Sequence, residues 1–211
     1  MKRAYAALIL IPLVLGLSLG YELGSYMTEE RIKVGPYEGQ GIRVQVEIYR
    51  NGELVYVDYD DPAVDNFLLF LAGVIDNDVA GILVKDRGGL NRNPISYYGA
   101  AVVGISDDTT SSFNQTLIEL PGTNVLLSAV DPTQIAVDTA NKTITISGTI
   151  TIPSSFTSFT VGWVGLYLDY STDNGLVDGD EVLIFADPLG ANAFTANPGD
   201  VITVVYKITV P

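Results

Sequence analysis

The feature that most constrains the fold of this chain is a strict alternation of side chains in KTITISGTITI, residues 142–152. Thr or Ser occupies every second position, and isoleucine fills most of the positions between them. A period of two places these rows on opposite faces of a β-strand, because successive side chains of a strand point to opposite sides. The pattern therefore predicts a strand with one row in the core and the other row outside. The predicted core row is Ile144, Ile146 and Ile150, and the predicted outer row is Thr143, Thr145 and Thr149.

Further short apolar runs with strand-like composition begin at residue 80, separated by Gly, Pro, Asn and Asp. The runs are AGILVK, ISYYGAAVVGIS, TLIEL, NVLLSAV, QIAVDT, FTVGWVGLYLDY, EVLIFA and VITVVYKITV. About ten short strands with antiparallel turn signals are typical of an all-β antiparallel β-sandwich or jelly roll. We expect this sandwich to be a single domain of residues 41–211.

Two hairpins are predicted with a definite register. Asn51-Gly52 favours a two-residue type I′ turn, which would place Ile48 opposite Val55 and Val46 opposite Val57. A second turn at Asn141-Lys142 would place Val137 opposite Ile146 and Ile135 opposite Gly148.

One short helix is expected in DDPAVDNFLLFLAGVI. Asp60 or Asp61 is the candidate N-cap, and Pro62 would occupy the first helical position. Phe67, Phe70 and later apolar residues recur at three- and four-residue spacing.

The first forty residues have a different character. Lys2 and Arg3 precede an apolar run, and small residues follow before Tyr21, which is the layout of a secretory signal peptide at residues 1–20. The alternative is a retained membrane anchor, although the run is shorter than the roughly 20 residues that span a bilayer. Residues 21–40 lack a sustained period and are predicted to be an N-terminal arm. The chain is thus expected to be secreted and extracellular, with membrane contact only through an uncleaved leader.

The composition excludes several functions. The chain has no His and no Cys, so imidazole bases, thiolate nucleophiles and zinc sites of the usual kind are missing. Its formal net charge of −14, with scattered basic residues, argues against nucleic acid as a partner. Paired carboxylates leave glycoside hydrolysis open as a minor alternative. We expect no enzymatic activity and no small-molecule substrate.

An acidic loop, DYSTDNGLVDGDE at residues 169–181, favours a hard cation. Calcium takes six to eight oxygen ligands, which carboxylates and backbone carbonyls of a flexible loop supply well. The spacing departs from that of an EF-hand loop, because Gly175 comes one position late. The predicted Ca²⁺ ligands in this loop are Asp169, Asp173, Asp178, Asp180 and Glu181.

A second acidic cluster lies where the second predicted strand meets the helix. Its candidate metal ligands are Asp58, Asp60 and Asp65. For both clusters the alternative is that the acids form helix caps and Asx-turns in water.

Two sequons predict N-glycosylation at Asn114 and Asn141. Trp163 and the tyrosines are candidate stacking platforms of a carbohydrate-binding module. However, Trp163 alternates with apolar neighbours, which favours burial.

The leader, the arm, the Thr-rich body and the C-terminal WVGLYLDY … EVLIFADPLGANAFTANPGDVITVVYKITVP together resemble subunits of secreted archaeal filaments of the cannula and thread type. They are also similar to small β-sandwich structural proteins of tailed viruses. The first resemblance implies a homopolymer in which the arm of one subunit completes the sandwich of the next by donor-strand addition, with calcium at subunit contacts. Its motifs transfer no individual site residue.

We therefore expect a structural subunit of an extracellular filament or tube that contacts itself head to tail. The alternative is a secreted or membrane-tethered, non-enzymatic binding module for carbohydrate or a cell surface.

Overall fold

The computed structural model describes residues 42–59, 63–64, 67–69, 83–92, 100–169 and 179–210. The predicted signal peptide and arm, residues 1–40, lie outside this part of the chain. The strands of the described part are β1 (Arg43–Arg50), β2 (Glu53–Asp58), β3 (Val84–Lys85), β4 (Asn91–Arg92), β5 (Ala101–Ser106), β6 (Val125–Ala129), β7 (Ile135–Asp138), β8 (Thr143–Thr151), β9 (Phe159–Val161), β10 (Trp163–Leu168), β11 (Val182–Pro188), β12 (Phe194–Ala196) and β13 (Val201–Thr209). Short 3₁₀ turns cover Pro132–Gln134 and Gly190–Asn192.

Two antiparallel sheets make the body of the fold. One has the strand order β2-β1-β13-β8-β7, and the other has the order β11-β10-β5-β6. Apolar residues of both sheets form one shared core between them. Strands β9 and β12 form a small two-stranded sheet, as do β3 and β4. The predicted all-β antiparallel sandwich is confirmed.

Strand β8 follows the predicted alternation. Ile146 and Ile150 are buried, and Ile144 is half-buried and packs against the core. Thr149 is exposed, and Thr143 and Thr145 are half-buried. The Ile row faces the second sheet, where β8 packs on β5 and β6. The prediction of the inner and outer rows is confirmed.

The register of the first hairpin was predicted wrongly. Arg50 pairs with Glu53 and Tyr49 with Leu54, as a two-residue turn requires, but the register then shifts and Ile48 pairs with Tyr56 instead of Val55. Val46 consequently pairs with Asp58 instead of Val57. The cause is a β-bulge, which inserts one extra residue in β2 and turns every later side chain to the other face.

The second hairpin also differs from its predicted register. Asp138 pairs with Thr143, so the turn has four residues instead of two, and Val137 pairs with Ile144 while Ile135 pairs with Ile146. The Asp138 carboxylate accepts hydrogen bonds from the backbone N–H of Ala140 and Asn141, which closes the longer turn. A shift of two residues keeps the same face inward.

Two predicted strands are organised differently in the structure. TLIEL, residues 116–120, is a loop, in which the Leu120 backbone N–H donates to the Tyr167 hydroxyl at 2.9 Å. FTVGWVGLYLDY divides into β9 and β10 at Gly162, where a side chain would collide with the Asp108 carbonyl. The short strand β12 was not predicted.

The predicted helix is seen only in part. Residues 67–69 are helical, and the Phe67 ring lies 4.7 Å from the Phe185 ring, centroid to centroid. The proposed caps Asp60 and Asp61, Pro62 and most of the remaining helix lie outside the described residues.

Candidate functional site

The acidic loop at residues 169–181 is anchored at the shared end of two paired strands. Leu168 of β10 pairs with Val182 of β11, so Asp169 and Glu181 flank the last pair of this ladder. Both residues are fully buried, and Asp180 is partly buried. The structure therefore places three of the five predicted calcium ligands at the same end of the sandwich. The other two, Asp173 and Asp178, lie outside the described residues.

The sequence did not predict the cation that pairs with Glu181 at the end of this loop. Arg87, in the turn between β3 and β4, donates through Nε to Glu181 Oε2 at 3.0 Å, and its Nη1 lies 3.5 Å from Glu119 Oε1. Its backbone N–H donates to the Glu181 carbonyl at 2.8 Å, and Gly88 donates to the Gly179 carbonyl at 3.0 Å. No local sequence signal marks this contact, because Arg87 and Glu181 are 94 residues apart.

A buried carboxylate shapes the turn that carries Arg87. Asp86 is fully buried, and it accepts hydrogen bonds from Arg92 Nε and from the Leu90 backbone N–H, each at 2.7 Å. Hydrogen bonds from a guanidinium and a backbone N–H offset the cost of burying this charge. The turn is thereby held in the shape that presents Arg87 to Glu181.

The chemistry of the acidic loop follows from these contacts. The Arg87 guanidinium already neutralises Glu181, which reduces the oxygen charge available to a cation. Among the described residues, no three His, Cys, Asp or Glu side chains converge in a way that would hold a metal ion. Calcium binding here stays a prediction, and it depends on oxygens from residues 170–178.

Asp58 of the second predicted metal cluster has partners that the sequence did not suggest. The Tyr56 hydroxyl lies 2.8 Å from Asp187 Oδ2 on β11 and 3.2 Å from Asp58 Oδ2. Strands β2 and β11 are edge strands of different sheets, so this carboxylate–tyrosine–carboxylate bridge links the two sheets at one side of the sandwich. Asp60 and Asp65 lie outside the described residues.

The bridge binds a proton more tightly than an exposed carboxylate does. Burial raises the pKa of Asp187 to about 7, the hydrogen bond from Tyr56 lowers it in part, and the negative charge of Asp58 raises it. Burial and the nearby Asp187 also raise the pKa of Tyr56. A hydroxyl has a single proton to donate, so a proton on Asp187 satisfies the second contact. The sequence did not predict a role for Asp187, because this residue directly follows the apolar run EVLIFA and resembles the end of a strand.

Both predicted glycosylation sites lie on exposed turns. The side-chain oxygen of Asn114 accepts hydrogen bonds from the backbone N–H and the hydroxyl of Thr116, both at 3.0 Å. Asn141 lies in the turn between β7 and β8, and its amide donates to Asp138 Oδ2 at 2.7 Å. Both asparagines are exposed. Their glycosylation stays a prediction.

Trp163 is fully buried in the sandwich, so it is not a stacking platform for sugars. It lies in a second apolar cluster together with Val102, Leu120 and Tyr167.

The two edges of the five-stranded sheet are protected very differently. Strand β2 contains the bulge near Val55 and turns the carboxylate of Asp58 to the same face as Val46. Bulges and inward-pointing charges are devices that prevent an edge from pairing with another chain. Strand β7 has an unbroken register along β8 and carries neither device.

Strand β7 also extends beyond the core. Ile135 and Val137 pair with Ile146 and Ile144, so they project from the core-facing side of the sheet. They are nevertheless 37% and 68% exposed, and neither belongs to the apolar core. The reason is that β8, the neighbour of β7, already packs on β5 and β6, and β6 is the last strand of the opposite sheet. No strand of the described residues pairs with the other edge of β7. We call this uncovered inner face and free edge, formed by residues 135–138, the β7 ledge.

No family model matches the chain, and no curated protein or solved structure shows significant similarity to it. In the described part of the chain, no helix combines the length and the apolar character that crossing a membrane requires.

Proposed function

We propose that this protein is a secreted, non-enzymatic structural subunit that assembles head to tail into an extracellular filament or tube. In this proposal, residues 21–40 of one copy add a strand to a sheet edge of the next copy. Calcium bound by residues 169–181, and by the cluster that includes Asp58, stabilises the subunit.

The observation that carries the proposal is the β7 ledge. A free strand edge with apolar side chains on its core-facing side is a template for pairing with another chain. An exposed Val137 on the inner side of a sheet leaves apolar area in water, which an added strand would bury at roughly 25 cal/mol per Å². The arm supplies a candidate strand in RIKV, residues 31–34, which has no hairpin partner nearby in sequence.

The geometry of such a contact favours a fibre over a closed dimer. The arm and the β7 ledge are different surfaces, so each copy would donate at one surface and accept at the other. A heterologous contact that does not close by rotation produces an open filament. The strongly acidic composition keeps unassembled copies apart in solution, and divalent cations would reduce this repulsion.

The test is deletion of residues 21–36, compared with the full mature chain by pelleting and by thermal melting. We expect the truncated protein to melt at nearly the same temperature and to stay in the supernatant under conditions in which the full chain pellets. Pelleting of the truncated protein as fibres of the same diameter would refute the role of the arm.

A second part of the test addresses the alternative function, a binding module. A protein that stays dispersed at every concentration and binds a glycan panel would be a binding module instead. Release of sugar from the panel would indicate a hydrolase.

A further inference from the structure

The inference rests on the proposed function and specifies its contact. We propose that the β7 ledge is the acceptor, and that residues 31–34 of a second copy lie along it with Ile32 and Val34 facing inward beside Ile135 and Val137.

The alternation in RIKV matches the ledge on both faces. Ile32 and Val34 share one face of an added strand, and Arg31 and Lys33 share the other. If the apolar pair covers the inner side of the ledge, the two cations lie on the outer side. The outer side of β7 carries Asp138.

Charge complementarity supports the same orientation. Asp131 precedes β7 and Asp138 is the last residue of β7, and both are exposed. Hydrogen bonds from Thr133 hold the pKa of Asp131 below its usual range, and hydrogen bonds from Asn141 do the same for Asp138. Both carboxylates are therefore anionic at neutral pH. A segment with two cations in four residues suits this acidic surrounding.

The other edge of the sheet is a poorer acceptor. An added strand on β2 would meet the bulge near Val55, which interrupts the regular spacing of hydrogen bonds. It would also meet the bridge of Tyr56 and Asp58 to Asp187, where the inner face is acidic instead of apolar. Of the two edges, only the β7 ledge offers an apolar inner face with an uninterrupted register.

The chain before β1 is long enough for donation to another copy. Arg43, Thr209, Thr143 and Asp138 form one row across the sheet. The row spans three strand spacings, so β1 begins about 14 Å from β7. Residues 35–42 separate RIKV from β1 and reach up to about 28 Å when extended. This reach is enough for the β7 ledge of an adjacent molecule and also for that of the same chain, and the double-cysteine variant described below separates the two cases.

The first experiment compares one substitution on each edge. Val137→Lys places a cation on the inner side of the β7 ledge, and Val57→Lys makes the same change at an exposed position of β2. Because both positions are exposed, we expect both variants to keep the melting temperature of the wild type. Val137→Lys should raise the critical concentration for assembly at least about tenfold, the factor that corresponds to losing one buried valine. Val57→Lys should leave it unchanged.

The second experiment uses the absence of cysteine from the chain. A protein with Ile32→Cys is mixed with a protein with Val137→Cys, and a short thiol-reactive cross-linker is added. We expect a covalent dimer that contains one copy of each variant. A Val57→Cys protein is the matched control and should give no dimer with Ile32→Cys.

The results separate the contact from the proposed function. Wild-type-like assembly of Val137→Lys, or cross-linking to Val57→Cys instead of Val137→Cys, would overturn the β7 ledge as acceptor while filament assembly stands. A mixed dimer through Val137→Cys without any fibres would support the ledge and refute the filament. A double variant, Ile32→Cys with Val137→Cys, that cross-links only within one chain would overturn donation between copies.

Discussion

The bridge between Asp187, Tyr56 and Asp58 predicts an unusual dependence of stability on pH. Asp187 is 4% exposed, and burial beside Asp58 raises its pKa to about 7. An acid whose pKa is raised in the folded state holds its proton more tightly when folded than when unfolded. Its contribution is therefore present below the unfolded pKa and is lost as the pH rises through the folded pKa.

The size of the loss follows from the two pKa values. An unfolded aspartate titrates near pH ~3.9, about three units below Asp187 in the fold, and each unit corresponds to 1.36 kcal/mol. We expect Asp187 to cost the wild type about 3 kcal/mol of unfolding free energy between pH 4 and pH 7. Asp187→Asn mimics the protonated acid and cannot titrate, so the variant should escape this loss.

The assay is urea unfolding at pH 4, 5, 6, 7 and 8, followed by the fluorescence of the buried Trp163. The quantity of interest is the stability difference between Asp187→Asn and the wild type at each pH. The matched control is Asp131→Asn, because hydrogen bonds from Thr133 lower the pKa of Asp131. The contribution of Asp131 to stability has the opposite sign, because it is lost as the pH falls. The stability difference between Asp131→Asn and the wild type should therefore be constant between pH 5 and pH 8. Parallel curves for Asp187→Asn and the wild type from pH 4 to pH 7 would refute the reasoning.

Three further perturbations test the packing and the acidic loop. Ile146→Ala should lower the unfolding free energy by about 2–5 kcal/mol, and Thr145→Ala by less than about 1 kcal/mol; equal losses in urea unfolding would contradict the inner and outer rows of β8. Gly148→Ala should cost about 1–3 kcal/mol because the added methyl group collides with the valine methyl groups packed against it, and an unchanged melting temperature would contradict that packing. Millimolar calcium should raise the melting temperature, a chelator should lower it, and magnesium should substitute poorly. An Asp173→Asn/Asp178→Asn variant should lose this response, and calorimetry without binding heat for the wild type would refute the site.

The side-chain period predicted the fold class and the inner face of β8, because burial of one face decides which row of a strand points inward. Ile146 and Ile150 illustrate this. The period did not predict the exact pairing of the hairpins. The bulge in β2 and the four-residue turn after Asp138 depend on local backbone geometry, which the apolar pattern does not encode.

The contacts of the acidic sites could not be predicted from the sequence, for a different reason. Asp58 and the ends of the loop at residues 169–181 were recognised as acidic clusters from their local composition. Their partners Asp187 and Arg87 come from distant parts of the chain, 131 residues from Tyr56 in one case and 94 residues from Glu181 in the other. Only the packing of the two sheets and the docking of a turn bring these groups together. The β7 ledge could not be predicted from the sequence either, because it depends on how many strands of the two sheets face each other across the core.

Negative-stain electron microscopy of the chain from residue 21 onward, the mature chain of the proposed function, tests the central claim most directly when it covers a range of concentrations with calcium present. The account predicts fibres or tubes of uniform diameter from the full mature chain, and dispersed particles from the chain that lacks residues 21–36 and from Val137→Lys. Dispersed particles of the full mature chain at every concentration would contradict it.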